Sequence, residues 1–290
     1  MRSLIVAVDA TDISANAARY AADMALAIDA DVHLLHVVQI PVMPAEAPVG
    51  YVFEQLEKEG RVLLDGLSKE LAERTRGQVN IYTLEEVGGV EYRIAECCRR
   101  IRPFAVIMGA PGGSFLRAVG GSTAVDAARH LPYPVLVIPP GAAFRRIHKI
   151  VLACELEDIG GGIPVTLSFL RELKEFFAAR FDLVNISGGE EKGEDERVFE
   201  MYRWKEAMQD LYPELHFLRA ASVLEGVDKY LGEQDADWLM VFPKEHGWLE
   251  FHRSQTKGLV SHCRVPVMSI CEGASARQEE EKKVTGQVSE

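Results

Sequence analysis

What this chain has little of narrows its class before any motif is read. Five cysteines occur in 290 residues, at Cys97, Cys98, Cys154, Cys263 and Cys271, and no two stand as a CxxC pair. An odd count without metal-ligand or redox spacing reads as small buried apolar residues. No apolar run approaches the roughly 18–20 residues that cross a bilayer. The opening Met1-Arg2-Ser3-Leu4-Ile5-Val6-Ala7-Val8-Asp9 turns polar too soon for the apolar stretch of a secretory leader. The expected compartment is therefore the cytoplasm. Basic residues are scarce: 32 Lys and Arg face 44 Asp and Glu, a formal charge of −12. With no basic run, that balance excludes nonspecific binding to nucleic acid or to an anionic membrane.

Catalytic signatures are missing too. No GxxxxGK[ST] string occurs, which excludes the Walker type of NTPase. No serine stands in a GxSxG elbow, and no carboxylate pair has a spacing that ties it to general acid–base chemistry. The chain is read as no enzyme, with any nucleotide turnover slow and incidental. His33 and His36 lie three apart on an expected strand, hence on opposite faces, and cannot easily share a metal ion. His246 and His252, near Glu245 and Glu250, read as an exposed polar loop. No metal ligand set is assigned.

What is present is a duplication. Leu4-Ile5-Val6-Ala7-Val8-Asp9 resembles Ile150-Val151-Leu152-Ala153-Cys154-Glu155, both apolar runs ending in a carboxylate. Val32-His33-Leu34-Leu35-His36-Val37 resembles Phe181-Asp182-Leu183-Val184-Asn185-Ile186. Phe104 to Met108 resembles Asp237 to Phe242, and Ser122 to Ile138 resembles Ser254 to Ile270. The order is the same in both halves. A period this long means one domain used twice. Pro139-Pro140-Gly141-Ala142-Ala143 reads as the linker. The expected domains are 1–143 and 144–273. The polar tail, 274–290, has almost no apolar content and is read as disordered.

Within each half, apolar runs alternate with helical patterns. Helices are expected from Ser14 to Ala30, Pro48 to Arg74, Val90 to Arg102, Ser122 to Leu131, Pro164 to Arg180 and Phe199 to Leu211. Thr11, Asp12 or Ser14 is suited to cap the first. Ser187 to Asp195 reads as a polar loop, and Gly160-Gly161-Gly162 as a flexible one. Strands that are nearly all apolar are buried on both faces, as in a parallel sheet covered by helices. The fold class is therefore α/β, with two tandem doubly wound, Rossmann-like sheets. Ligands in such sheets sit at the carboxyl ends of the strands, where the strand order reverses. That directs attention to Asp9, Val37 and the loop after Met108.

That loop, Met108-Gly109-Ala110-Pro111-Gly112-Gly113-Ser114, continues to Val119-Gly120-Gly121-Ser122-Thr123. Glycines let backbone N–H groups approach a ligand. The helix start adds free donors and a partial positive charge, and Ser122 and Thr123 add hydroxyls. Together they make an anion cradle that needs no lysine. With Asp9 closing the first apolar run, Leu34-Leu35-His36-Val37 and Pro134-Val135, this loop resembles the universal stress protein family. The family's G-x2-G-x9-G-[S/T] pattern appears as Gly109, two residues, Gly112, eight residues, Gly121 and Ser122, one residue short.

The resemblance implies an adenine nucleotide alpha hydrolase-like fold and an ATP site in the first domain. Asp9 would hold the adenosine, with Ala7 and Val37 lining the base. Met108, Gly109 and Gly112 would wrap ribose and phosphates. Gly121, Ser122 and Thr123 would take the outer phosphates. In the second half Glu155 replaces Asp9, Pro243-Lys244-Glu245-His246-Gly247 replaces the first glycines, and Arg253-Ser254-Gln255 replaces Gly121-Ser122-Thr123. At most one ATP per chain is expected, with Lys244 and Arg253 able to attract some other anion. The resemblance also implies that the strands Val135–Ile138 and Val267–Ile270 pair the halves as an intramolecular pseudo-dimer. Two such chains could form a homodimer. Two functions stay open: a stress-response module in which ATP shifts a partner or conformational equilibrium, and a scaffold of the same fold that binds no nucleotide.

Overall fold

The computed structural model describes residues 2–39, 49–110, 123–153, 163–187, 194–243 and 264–271. These fall into two compact units. One is Met1–Ala127 with Val135–Phe144, the other Ala128–Pro134 with Arg145–Glu290.

The first unit runs β1 (Arg2–Ala7), α1 (Asp12–Ile28), β2 (Ala30–Val38), α2 (Val49–Arg74), β3 (Ile81–Val87), α3 (Val90–Ile101) and β4 (Ala105–Gly109), then α4 (Thr123–His130) and β5 (Val135–Ile138). Its strands lie in the order β3-β2-β1-β4-β5, all parallel. Leu4, Ile5 and Val6 are wholly buried, as are Val106 and Ile107. Their uninterrupted apolar sequence is what a strand covered on both faces requires.

The helix α1 explains how that cover is achieved. Ala17, Ala18, Ala21, Ala22 and Ala25 are buried together with Met24. Small side chains on one face bring the helix axis close to the sheet. Its start is fixed by Thr11, whose hydroxyl accepts the Ser14 N–H at 3.3 Å. Its end is turned by Asp29, left-handed at φ 52°. On the outside, Arg19 pairs with Glu70 and Arg74 with Asp23 at 2.7 Å, tying α1 to α2.

The second unit runs β6 (Lys149–Ala153), α5 (Ile163–Phe177), β7 (Arg180–Ser187), α6 (Glu194–Ala207), a short 3-10 turn (Gln209–Leu211), β8 (Glu214–Arg219), α7 (Val223–Glu233), β9 (Trp238–Val241) and β10 (Val267–Ser269). The order is β10-β9-β6-β7-β8, again parallel. This is the first unit's arrangement repeated, strand for strand. Trp238 is fully buried and meets Phe177 edge-on at 5.5 Å.

The strands β3 and β8 and the helix α7 have no counterpart among the elements expected from the sequence. The helix expected from Phe199 begins at Glu194, so Glu194 and Asp195 belong to α6 and not to the loop expected from Ser187 to Asp195. The segment 274–290 lies outside the described residues. None of the helices among the described residues is long and apolar enough to cross a membrane.

Candidate functional site

In the first unit the chain goes from β1 to β2 and β3 on one side, then crosses to β4 on the other. The strand order therefore reverses between β1 and β4, and open α/β sheets hold their ligands at the carboxyl ends of strands that flank such a reversal. The pairing runs from Leu4↔Ala105 to Val6↔Ile107. The residues that follow are Ala7, which ends β1, then Val8 and Asp9 just beyond it, and Met108 and Gly109 on β4. Two stretches far apart in sequence thus bring predicted site residues side by side.

Asp9 is exposed just beyond β1. Its Oδ1 accepts the Thr11 N–H at 3.0 Å and the Thr11 hydroxyl. Its carbonyl accepts the Ser14 hydroxyl at 2.7 Å, and its own N–H donates to Ser14 Oγ at 3.1 Å. The turn from β1 into α1 is thereby locked. Both side-chain bonds fall on Oδ1. An ionised carboxylate is an acceptor with several lone pairs, so Oδ2 keeps acceptor capacity for a ligand hydroxyl.

Gly109 has a packing role that its place in a glycine-rich motif does not reveal. A Cβ there would lie 2.7 Å from both Ile13 Cγ2 and the Ile13 carbonyl oxygen. The first turn of α1 sits directly on β4, and only a glycine leaves room. Met108 is buried, at 5% exposed. Ala7 and Val37 are half-buried, as is Thr123 at the start of α4. Gly112, Gly121 and Ser122 lie outside the described residues.

His36 supports this end of the sheet. Its Nδ1 lies 3.0 Å from the Val8 carbonyl oxygen. A proton on Nδ1 makes that a hydrogen bond, placed one residue before Asp9. The imidazole packs on α2 at Gly60, where a Cβ would meet His36 Cδ2 at 2.6 Å. His33 instead stacks on Tyr82 at 4.8 Å, and burial pushes its imidazole below the usual histidine range. The two histidines therefore have separate structural partners, consistent with strand alternation.

In the second unit Pro243 follows β9 and is buried, without an N–H to offer. Glu155, Gly160-Gly161-Gly162, Lys244, Glu245, His246, Glu250, His252, Arg253 and Ser254 lie outside the described residues.

Comparison with known proteins places the first half. Residues 1–139 match the sequence model of the Universal stress protein family. A universal stress protein from Methanocaldococcus jannaschii is 29% identical over 141 residues, which is 47% of this chain and 81% of that one. The crystal structure of a universal stress protein from Archaeoglobus fulgidus superposes with a TM-score of 0.73 at 11% identity, covering 93% of this chain and 98% of that chain. A universal stress protein structure from Pseudomonas aeruginosa UCBPP-PA14 gives 0.62 at 14% identity, with 96% of both chains covered. At such identities the two structures speak for the fold alone, and they do so across both units.

Proposed function

We propose, from the match of residues 1–139 to the Universal stress protein family, that the first unit binds an adenine nucleotide, ATP, between the carboxyl ends of β1 and β4. In this reading Asp9 accepts hydrogen bonds from the ribose hydroxyls through Oδ2, Ala7 and Val37 flank the base, and the phosphates run toward the start of α4. The observation that carries the reading is the convergence of Ala7, Asp9, Met108 and Gly109 on the one point where the strand order reverses. The role is binding rather than turnover. Occupancy shifts a conformational or protein-contact equilibrium as part of a stress response in the cytoplasm.

The net charge of −12 gives no long-range help to a polyanion. At physiological salt, charges more than about 8 Å away are screened. Affinity must come from backbone donors and from the helix start, worth about 0.3–1 kcal/mol per exposed anionic contact. The test is calorimetric titration of ATP into the intact chain, with Asp9→Asn and Asp9→Ala alongside. One site per chain, weakened in both variants, is the expected outcome. Absence of heat from the unaltered protein overturns the reading in favour of a scaffold that works through protein contacts alone. Two equivalent sites per chain contradict the assignment of the second unit as degenerate.

A further inference from the structure

The geometry points to a divalent transition-metal site of the zinc class in the second unit, formed by Asp182, Glu214 and His216 at the amino-terminal ends of β7 and β8. It lies at the opposite end of the strands from a nucleotide crevice and does not rest on the reading above.

Register brings the three residues together. Asp182 pairs with Glu214 and Val184 with His216. Because strand side chains alternate, Asp182, Glu214 and His216 share one face. His216 Nε2 is 3.9 Å from Asp182 Oδ1 and 3.9 Å from Glu214 Oε2. One ligand atom from each residue lies within 4.8 Å of the others. Three atoms so spaced share a point no more than roughly 2.8 Å from each, against about 2.0–2.2 Å for zinc bonded to nitrogen or oxygen. Movements well below 1 Å close the difference.

The imidazole supplies an independent indication. The His216 side chain is 30% exposed, but its Nε2 is itself buried and has no hydrogen-bond partner. Neither carboxylate is near enough to satisfy it, and a metal ion between them would. Asp182 is held for the same purpose. Its side chain is 2% exposed, and its Oδ2 accepts the Tyr230 hydroxyl at 2.9 Å and pairs with Lys149 Nζ at 3.2 Å. Both contacts fall on Oδ2 and aim Oδ1 at His216. Tyr230 and Lys149 thus stand as the outer hydrogen-bonding support that ligating carboxylates usually have. Glu214 is 68% exposed and gives an ion access from solvent.

The fold itself does not require a polar cluster here. In the first unit the corresponding pair is His33↔Tyr82, a stacked contact, with Leu84 in the place of His216. Lys149 opposes the cation, so replacing it by methionine tightens binding.

Zinc chloride titrated into the full chain binds as one ion per chain, and His216→Ala and Glu214→Gln each weaken that binding by about 10-fold or more. Cobalt in its place gives a visible absorption band that disappears in the same two variants. Glu214→Gln is isosteric and largely exposed, so its fold is preserved whatever His216→Ala does. Zinc binding that is absent from the unaltered protein, or equal in the unaltered protein and Glu214→Gln, overturns the proposal.

Discussion

Replacing Gly109 by alanine adds one methyl group at a point 2.7 Å from the Ile13 carbonyl oxygen and 2.7 Å from Ile13 Cγ2. The Ile13 side chain can rotate away, but its carbonyl cannot. It belongs to the first turn of α1, which Thr11 and Ser14 fasten to Asp9. Relief therefore requires the start of α1 to lift from β4. Overpacking of this kind costs about 1–3 kcal/mol, and a fixed backbone partner puts it in the upper part of that range. Alanine returns about 0.4–1 kcal/mol by restricting the unfolded chain, since Gly109 is not in the left-handed region. The net loss is about 1–2.5 kcal/mol. In a unit of this size each kcal/mol moves Tm by about 3–4 °C, so the variant melts about 3–10 °C lower. Differential scanning calorimetry without nucleotide measures this directly. A Gly109→Ala protein that melts at or above the unaltered temperature while losing ATP would refute the packing argument and leave the glycine as a ligand contact only. For the same reason Gly109→Val is a poor probe of the proposed nucleotide site, because it disturbs α1 before any ligand is added.

Gly66, in α2, has open space where a Cβ would go, so Gly66→Ala stabilises by about 0.5–1 kcal/mol and raises Tm in the same calorimetric scan. The hydrogen bond from Arg19 holds the Glu70 carboxyl below its ordinary range, against the opposing effect of burial. The stability it contributes is complete above the usual Glu value of about 4.3 and lost as pH falls through the lowered folded value. Both side chains are about 40% exposed, which limits the effect to under about 1 kcal/mol. The Tm gap between the unaltered protein and Glu70→Gln is therefore present at neutral pH and closes in strong acid. Burial pushes the Cys97 thiol up to about 11 and Cys98 to about 12. Both stay protonated at neutral pH, and maleimide labelling followed by peptide mass analysis finds them modified only after unfolding; a native protein labelled at Cys98 contradicts its burial.

The sequence is most readable where one physical signal dominates. Leu4-Ile5-Val6 and Ala105-Val106-Ile107-Met108 are apolar without interruption because both of their faces are covered. The helices α1 and α3 announce themselves by spacing, and α1 also by Thr11 at its start. The strands β3 and β8 are harder. Each is the last strand on one side of its unit, none of its residues is fully buried, and its charges blur the pattern. The helix α7 contains Gly226, which reads as a breaker until Ile186 is seen at 2.6 Å from its Cβ position. The site divides in the same way. Asp9 and the glycines are visible as a motif, whereas the contact of Gly109 with Ile13 depends on how α1 crosses β4. Asp182, Glu214 and His216 carry no spacing signal at all. Their proximity exists only once β7 and β8 are in register.

The central place of β1 has a consequence for how the chain is made. Its residue Leu4 pairs with Ala105, so about a hundred residues must leave the ribosome before β4 can close that side. At roughly 5–20 residues per second the wait lasts about 5–20 s. During it, Leu4-Ile5-Val6 has β2 and α1 as partners and one open edge. An apolar strand in that state is the kind of segment that holdase chaperones bind and that aggregates when they are absent. The strand beside Asp9 gains its second neighbour only when that interval ends, and β5 closes this side of the sheet about thirty residues later still.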